Sequence, residues 1–202
     1  MAKLITYFAH PGQRFSRSNV AMAMAVRNLS GVTFVDLYEE YPRHDIDVAR
    51  EQQRLLDHDV ILFQFPLYWY STPSLIKEWQ DLVLQHGFAY GHDGDKLAGK
   101  TMMLAITAGG PQEAYTAKGY QHYPLRTFLT PLEQTARLCK MRFATPYALY
   151  GALSAEPDGE IADHAAGYVS LLTAIRDDTY DFDAADKRDV LGFDDLPIKT
   201  GG

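Results

Sequence analysis

Five short apolar runs alternate with five amphipathic patterns along the chain, and this alternation limits the fold more than any other feature. Apolar runs of this length are typical of parallel strands that helices cover on both faces. The runs are residues 4–9, 32–38, 60–65, 101–107 and 145–153. The amphipathic patterns, which predict helices, are residues 18–29, 46–58, 73–86, 125–139 and 160–177.

Strands that alternate with helices predict a three-layer α/β sandwich around a parallel sheet. Five strands favour the flavodoxin-like order 2-1-3-4-5 over the six-stranded dinucleotide-binding order. Ligands of such sheets bind beyond the carboxyl ends of the strands, where the order switches between strands 1 and 3. We therefore expect the site in the loops that follow residues 9, 65 and 107.

The predicted flavodoxin-like domain comprises residues 1–180, and residues 181–202 form a separate C-terminal tail. The acidic stretch DDTYDFDAADKRD runs into the start of the tail, and the chain from residue 178 to 202 lacks helical periodicity. Two interpretations remain open for it: an arm that packs on a neighbouring subunit, or a partly disordered segment.

The composition excludes several classes of function. A formal net charge of -7 and an isoelectric point near 5.4 argue against a nucleic-acid-binding protein, which needs a basic face. Cys139 is the single cysteine, so an intrachain disulfide is impossible and a reducing compartment is expected. Neither a signal peptide nor an apolar run of about 20 residues is apparent. We expect a cytoplasmic protein, with peripheral attachment at the inner membrane as the alternative.

The first predicted site loop is AHPGQRFSRSN, residues 9–19. It contains neither GxxxxGK(S/T) nor GxGxxG, so it is not a nucleotide-binding loop of either common type. His10, Arg17 and the hydroxyls of Ser16 and Ser18 lie at the start of a predicted helix and form a candidate phosphate seat. The alternative is that both serines only cap the helix.

The second loop begins the stretch FPLYWYSTPSLIKEWQD, residues 65–81. Tyr68, Trp69 and Tyr70 stand where short connections usually hold small polar residues. Consecutive side chains point in different directions, so at least one should line a cleft, where it would hold a planar heteroaromatic ring. The alternative is ordinary core packing. Thr72 and Pro73 predict the start of the next helix.

The third loop is TAGGPQEAY, residues 107–115. Gly109 and Gly110 leave room for a ligand to approach the backbone, although a plain turn is the alternative. Tyr115, His122 and Tyr123 follow as candidates for a lid over the site. For His122 the alternative is an exposed loop histidine with no role.

Several stretches of the chain together resemble one family. They are AHP after the first strand, FPLYWYSTPSLIKEWQD after the third, GFAYG and LAGK before the fourth, and TAGG followed by Tyr115. The family is the NAD(P)H dehydrogenase (quinone) family of flavodoxin-like flavoproteins, and the resemblance covers residues 3–153. Its members include ancillary proteins of the glutathione-gated potassium efflux systems of bacteria. The resemblance implies a homodimer with a flavin across its interface, FMN rather than FAD because the second half of the chain is short, with FAD as the alternative.

The resemblance also implies an activity. NAD(P)H would donate a hydride to the flavin, and a quinone or similar acceptor would then take it, in a two-electron ping-pong reaction. One alternative is a flavin-binding regulatory subunit of a membrane potassium efflux transporter, and another is an electron-transfer flavodoxin. No metal site is expected.

The site residues that the resemblance implies fall into four groups. The flavin ring would be bordered by Pro66, Leu67, Tyr68 and Trp69, and its pyrimidine side by Thr107, Gly109 and Gly110. The phosphate would be surrounded by His10, Ser16, Arg17, Ser18 and Asn19. Tyr115 and His122 are the candidate catalytic residues. The chain departs from the best-known animal quinone reductases at Gln121, where they have a histidine, and at Ala108, where a second hydroxyl residue is usual.

Overall fold

The strands of this protein form one sheet in the computed structural model, which describes residues 1–199. All pairings between named strands are parallel. The order is β2-β1-β3-β4-β5, and β6 also pairs with β4. This confirms the predicted fold class and strand order. The strands are β1 (Leu4–Phe8), β2 (Val32–Asp36), β3 (Val60–Pro66), β4 (Thr101–Thr107), β5 (Arg142–Phe143) and β6 (Tyr147–Leu149).

The fifth position of the sheet is divided between two short strands. Phe143 pairs with Met102 and Tyr147 pairs with Ala105, so three residues oppose two and the strand bulges. Pro146 lies in the bulge, where its missing N–H breaks no ladder. The predicted strand over residues 145–153 is therefore wrong in its bounds, because the chain already leaves the sheet after Leu149.

All five predicted helices are present, and the fourth is divided. Pro131 cannot donate to the carbonyl of Thr127, which accepts instead from the Thr130 hydroxyl at 2.7 Å. The helices are α1 (Ser18–Val26), α2 (Leu37–Glu40), α3 (Val48–Asp57), α4 (Ser74–Val83), α5 (Leu125–Phe128), α6 (Thr130–Leu138), α7 (Ala162–Arg176) and α8 (Phe182–Ala185).

The sheet is buried on both faces, which explains why its strands are apolar throughout. One face packs Ile5 and Phe63 against Trp79 of α4 and other side chains of α3 and α6. The opposite face packs Leu4 and Leu62 against α1 and α7. Burying each such side chain contributes roughly 1.5–3 kcal/mol.

A buried carboxylate fixes α3 against α4, the helix that follows the aromatic loop. Glu51 of α3 is completely buried and accepts hydrogen bonds from Tyr41 Oη at 2.6 Å and Trp79 Nε1 at 3.0 Å. Arg54 Nη1 donates to the same carboxylate at 2.6 Å. A buried charge needs such partners, and here they connect three segments of the chain.

The chain beyond α7 returns along the edge of its own sheet. Leu191 is buried and lies parallel to Tyr147, accepting from Ala148 N–H at 2.9 Å. Arg142 of β5 forms ion pairs with Asp183 and Asp186, both at 2.6 Å. The division into a domain of residues 1–180 and a tail of residues 181–202 stays a prediction, and the last three residues of that tail lie outside the described residues.

Within residues 1–199, the helices are too short or too polar to cross a bilayer.

Candidate functional site

Two adjoining cavities open at the carboxyl ends of β1, β3 and β4, where the switch-point rule predicts a ligand. We call the larger, of about 560 Å³, the groove, and the smaller, of about 440 Å³, the side cavity. They share Leu67, Tyr68, Gly109 and Leu153. Of the predicted cofactor residues, the groove is lined by His10, Ser16, Arg17, Ser18, Asn19, Pro66, Leu67, Tyr68, Thr107 and Gly109. Trp69 and Gly110 line the side cavity, so the predicted set is gathered at one place.

One end of the groove is the N-terminus of α1. Ser18 and Asn19 begin this helix and are 4% and 2% exposed. Neither the Ser18 hydroxyl nor Asn19 Oδ1 has a hydrogen-bond partner within the described residues. No side chain caps α1, so Ser16 and Ser18 do not act as helix caps. Partnerless buried polar atoms cost about 1–3 kcal/mol each. The Ser18 hydroxyl can donate to an anion at this helix N-terminus, whereas Asn19 Oδ1 can only accept, for example from a hydroxyl of a ligand.

The amide of Asn19 holds this end of the groove to the sheet. Its Nδ2 donates to Thr107 Oγ1 at 2.7 Å, and its backbone carbonyl accepts from Gln64 Nε2 at 2.8 Å. Because Thr107 ends β4 and Gln64 belongs to β3, the start of α1 is fixed against both strands. The polar groups of the groove are therefore held in place by the protein itself.

His10 links the first loop to the aromatic loop. Its Nδ1 accepts from Gly12 N–H at 3.1 Å, so the proton of the neutral ring lies on Nε2, which contacts Tyr68 Oη at 3.2 Å. Burial lowers the pKa of His10, while its own backbone hydrogen bond opposes that shift. The neutral ring thus donates to Tyr68, and the Tyr68 hydroxyl keeps its own proton available for another acceptor.

The aromatic loop is a two-residue turn in a strained conformation. Tyr68 and Ser71 exchange both backbone hydrogen bonds at 3.0 Å, while Trp69 and Tyr70 have φ values of 48° and 64°. This left-handed region favours Asn and Gly, and bulky residues in it cost about 1–3 kcal/mol each. The Trp69 side chain is 93% exposed. The turn places Tyr68 in both cavities and leaves the N–H groups of Trp69 and Tyr70 with no acceptor among residues 1–199.

The paired glycines after β4 make room mainly for side chains of this chain. A Cβ on Gly109 would lie 3.1 Å from Leu153 Cδ1, and one on Gly110 would lie 2.7 Å from Tyr120 Oη. Tyr115 lines the side cavity and is mostly buried. Burial raises the pKa of the Tyr115 phenol, and a hydrogen bond from the Gly110 backbone partly offsets that rise. Tyr115 is therefore a neutral hydrogen-bond donor at physiological pH.

Two of the three predicted lid residues, His122 and Tyr123, line neither cavity. His122 is also a predicted catalytic residue. It is exposed, in a turn with a φ of 62°, whereas its neighbour Gln121 lines the side cavity. The sequence reading also missed Ala152 and Leu153, which line the groove from the loop after β6. The signal was available, because this loop also follows the carboxyl end of a parallel strand.

The groove and side cavity together fit an elongated ligand with an anionic group at one end and a planar ring at the other. The Ser18 hydroxyl, the N-terminus of α1 and the Arg17 guanidinium suit a phosphate, and the aromatic turn suits a ring. Among residues 1–199 there is no cluster of His, Cys, Asp or Glu that could hold a metal ion.

An open parallel sheet in the order 2-1-3-4-5, with a ligand groove at its switch point, defines the flavodoxin-like class of α/β proteins. Sequence comparison agrees, since the profile of the family described as "Flavodoxin-like fold" matches residues 2–172. The chain belongs to this family.

Three known proteins similar to this chain have different descriptions. The glutathione-regulated potassium-efflux system ancillary protein KefG of Enterobacter sp. (strain 638) is 43% identical over 173 residues, covering 86% of this chain and 94% of KefG. The solved structure of general stress protein 14 from Treponema denticola, in complex with FMN, is 34% identical with a TM-score of 0.80, covering 86% and 99% of the two chains. An NADPH-quinone reductase from P. pentosaceus is 31% identical with a TM-score of 0.73, covering 83% and 96%.

Proposed function

We propose that this protein is an NAD(P)H-dependent flavin oxidoreductase that binds FMN and reduces quinones or similar acceptors by two-electron, ping-pong hydride transfer. The main support is the pair of buried partnerless atoms, Ser18 Oγ and Asn19 Oδ1, in a groove that continues into an aromatic turn. Similarity to a protein in complex with FMN and to an NADPH-quinone reductase favours this flavin and this reaction.

The residues of the groove would bind the flavin at its two ends. Arg17, Ser18 and the N-terminus of α1 would hold the phosphate, and Tyr68 would border the ring. When bound, FMN supplies the chemistry that accepts a hydride from NAD(P)H and passes it to the acceptor. The free N–H groups of Trp69 and Tyr70 would be donors to the ring edge.

The side cavity would hold the nicotinamide and the acceptor in turn, as ping-pong kinetics require. Tyr115 would keep its proton on Oη and donate a hydrogen bond to the acceptor oxygen as negative charge develops there. The buried phenol, with its raised pKa, is suited to this task because it stays protonated.

Replacing Tyr115→Phe tests this assignment. We expect quinone turnover to fall by about a hundredfold or more, since losing one hydrogen-bond donor aimed at developing negative charge costs about 10²–10³ in kcat, while the purified variant keeps its FMN. Tyr123→Phe is the matched control, because Tyr123 is exposed and lines neither cavity. Unchanged turnover in Tyr115→Phe would exclude the proposed role of this phenol.

The class of protein is tested by the cofactor itself. Purified protein should be yellow and release FMN on denaturation, and initial rates at several NADPH and quinone concentrations should give parallel double-reciprocal lines. A colourless protein that neither FMN nor FAD reconstitutes would refute the proposed function.

A second candidate function is that of a regulatory subunit docked peripherally on a potassium efflux transporter at the inner membrane. Identity of 43% to KefG favours it, and the net charge of -7 suits a basic partner surface. Co-purification with such a transporter, and loss of its gating when this protein is deleted, would support the regulatory role. Normal gating in the deletion strain would exclude it.

Under both proposed functions we expect the protein to be a homodimer. Large aromatic side chains rimming the side cavity are exposed, among them Trp69 at 93% and Tyr120 at 65%, and such patches usually mark an interface. Light scattering on the purified protein should give twice the 22.7 kDa chain mass. A monomer with bound flavin would exclude this assembly.

A further inference from the structure

The loop after β6 reaches across the groove to the loop after β1. Arg17 Nη2 donates to the backbone carbonyl of Leu153 at 3.1 Å, although the two residues are 136 positions apart. On the other side, Gly151 N–H donates to Gly110 O at 2.8 Å and Ala152 N–H to Ala108 O at 3.0 Å. Two backbone hydrogen bonds to the segment after β4 and one from the Arg17 side chain therefore fix the backbone at Leu153.

The Leu153 side chain is apolar and exposed, although the backbone of its loop is held by hydrogen bonds. It is 81% exposed, and it lines both the groove and the side cavity. Its Cδ1 would lie 3.1 Å from a Cβ at Gly109, so a larger residue at position 109 would displace it. Isolated exposed leucines are common, but this one is held over the junction of two cavities by hydrogen bonds on both sides of it.

We propose that Leu153 is a positioning residue for the ligand of the groove, making an apolar contact with the body of the flavin, and that Arg17 fixes it through its backbone carbonyl. This inference rests on the proposed function. Arg17 then has two tasks, because a guanidinium has five N–H donors and the contact with Leu153 uses one nitrogen. The remaining donors are available for the phosphate.

Riboflavin separates the two tasks of Arg17, since it has the ring system and ribityl chain of FMN but no phosphate. If Arg17 acts only on the phosphate, Arg17→Lys leaves riboflavin binding unchanged. If Arg17 also fixes Leu153, the same substitution weakens riboflavin binding, because lysine lacks the planar fork that reaches the carbonyl. The effect should then vanish once the Leu153 side chain is removed.

The experiment measures dissociation constants for FMN and riboflavin by quenching of flavin fluorescence, in the wild type, Leu153→Ala, Arg17→Lys and the double variant. We expect Leu153→Ala to weaken both flavins by about tenfold, because the bound flavin would no longer cover the exposed leucine side chain. Arg17→Lys should weaken riboflavin about threefold in the wild type and not in the Leu153→Ala background. Leu153→Met, of similar volume, should restore binding to within about twofold.

Leu138→Ala is the matched control, since Leu138 is also an exposed leucine but lies at the end of α6 and lines neither cavity. It should bind both flavins as the wild type does. Near-UV circular dichroism of every variant checks the fold, which substitution of an exposed side chain should leave intact.

Two results would overturn the inference alone: equal riboflavin affinity in the wild type and Leu153→Ala, or an effect of Arg17→Lys on riboflavin that persists undiminished in the double variant. Failure of the wild type to bind either flavin would instead overturn the proposed function, and this inference with it.

Discussion

Two buried polar regions of this molecule differ in one respect. Around Glu51, the carboxylate receives hydrogen bonds from Tyr41, Arg54 and Trp79. At the start of α1, the Ser18 hydroxyl and Asn19 Oδ1 are almost as deeply buried, yet neither has a partner within residues 1–199. The chain can evidently satisfy a buried charge, whereas these two neighbouring open atoms lie in the wall of the groove, where an external ligand can reach them.

The largest effect that tests this contrast is on stability. Glu51→Ala removes the common acceptor and leaves the Trp79 and Tyr41 donors and the half-buried Arg54 charge unpaired, so the free energy of unfolding should fall by about 3–5 kcal/mol. Urea denaturation followed by tryptophan fluorescence measures it.

Glu39→Ala is the control for Glu51, because its ion pair with Arg27 is on the surface. Such pairs contribute about 0–1 kcal/mol. If both substitutions had the same small effect, the Glu51 network would not be the stabilising region that the comparison requires.

For Ser18 we expect a smaller change in stability, and one of the opposite sign. Ser18→Ala removes a buried hydroxyl that has no partner, so stability without ligand should stay level or rise by up to about 1 kcal/mol. Affinity for FMN should fall about tenfold, because a hydrogen bond to a charged phosphate is lost. Thermal denaturation with and without FMN reports both quantities, since bound ligand stabilises by mass action.

Ser170→Ala is the matched control for Ser18, since Ser170 donates only to the Ala166 carbonyl within α7. A loss of stability in Ser18→Ala without ligand would mean that the groove hydroxyl already has a structural task, and the contrast with Glu51 would disappear.

The smallest expected effect concerns pH and His10. Burial lowers the pKa of His10 below its usual 6.5, so the folded protein keeps the ring neutral where an unfolded chain would already bind a proton. The contribution of the neutral His10 ring to folding stability is therefore complete above pH 6.5, and it is lost as the pH falls through the lowered pKa of the folded protein. Protonation turns Nδ1 into a donor and breaks its bond with Gly12 N–H.

Riboflavin is the ligand to measure against pH, because it lacks a phosphate that would itself titrate near 6. We expect its affinity to fall in acid for the wild type and to stay flat for His10→Asn, whose side chain does not titrate. An identical pH dependence in both proteins would assign the change to another group.

Most of the fold was predictable because it depends on local periodicity. The apolar runs predicted β1 to β4 to within about two residues, and the alternation predicted the strand order. The break at Pro131 and the bulge at Pro146 were harder, because a proline removes one N–H donor, and whether the element then divides or bulges depends on the partners that remain for its neighbours. Those partners are set by neighbours in space.

The sequence by itself determined the fold class, and the three loops where strands end also followed from it. Only the tertiary structure decided which side chains meet there: it turned His122 outward, brought Gln121 and Leu153 to the cavities, and forced Trp69 and Tyr70 into left-handed backbone conformations. The reason is physical. Periodicity follows from burial of one face of each element, whereas the direction of a loop side chain depends on contacts between residues as distant as Arg17 and Leu153.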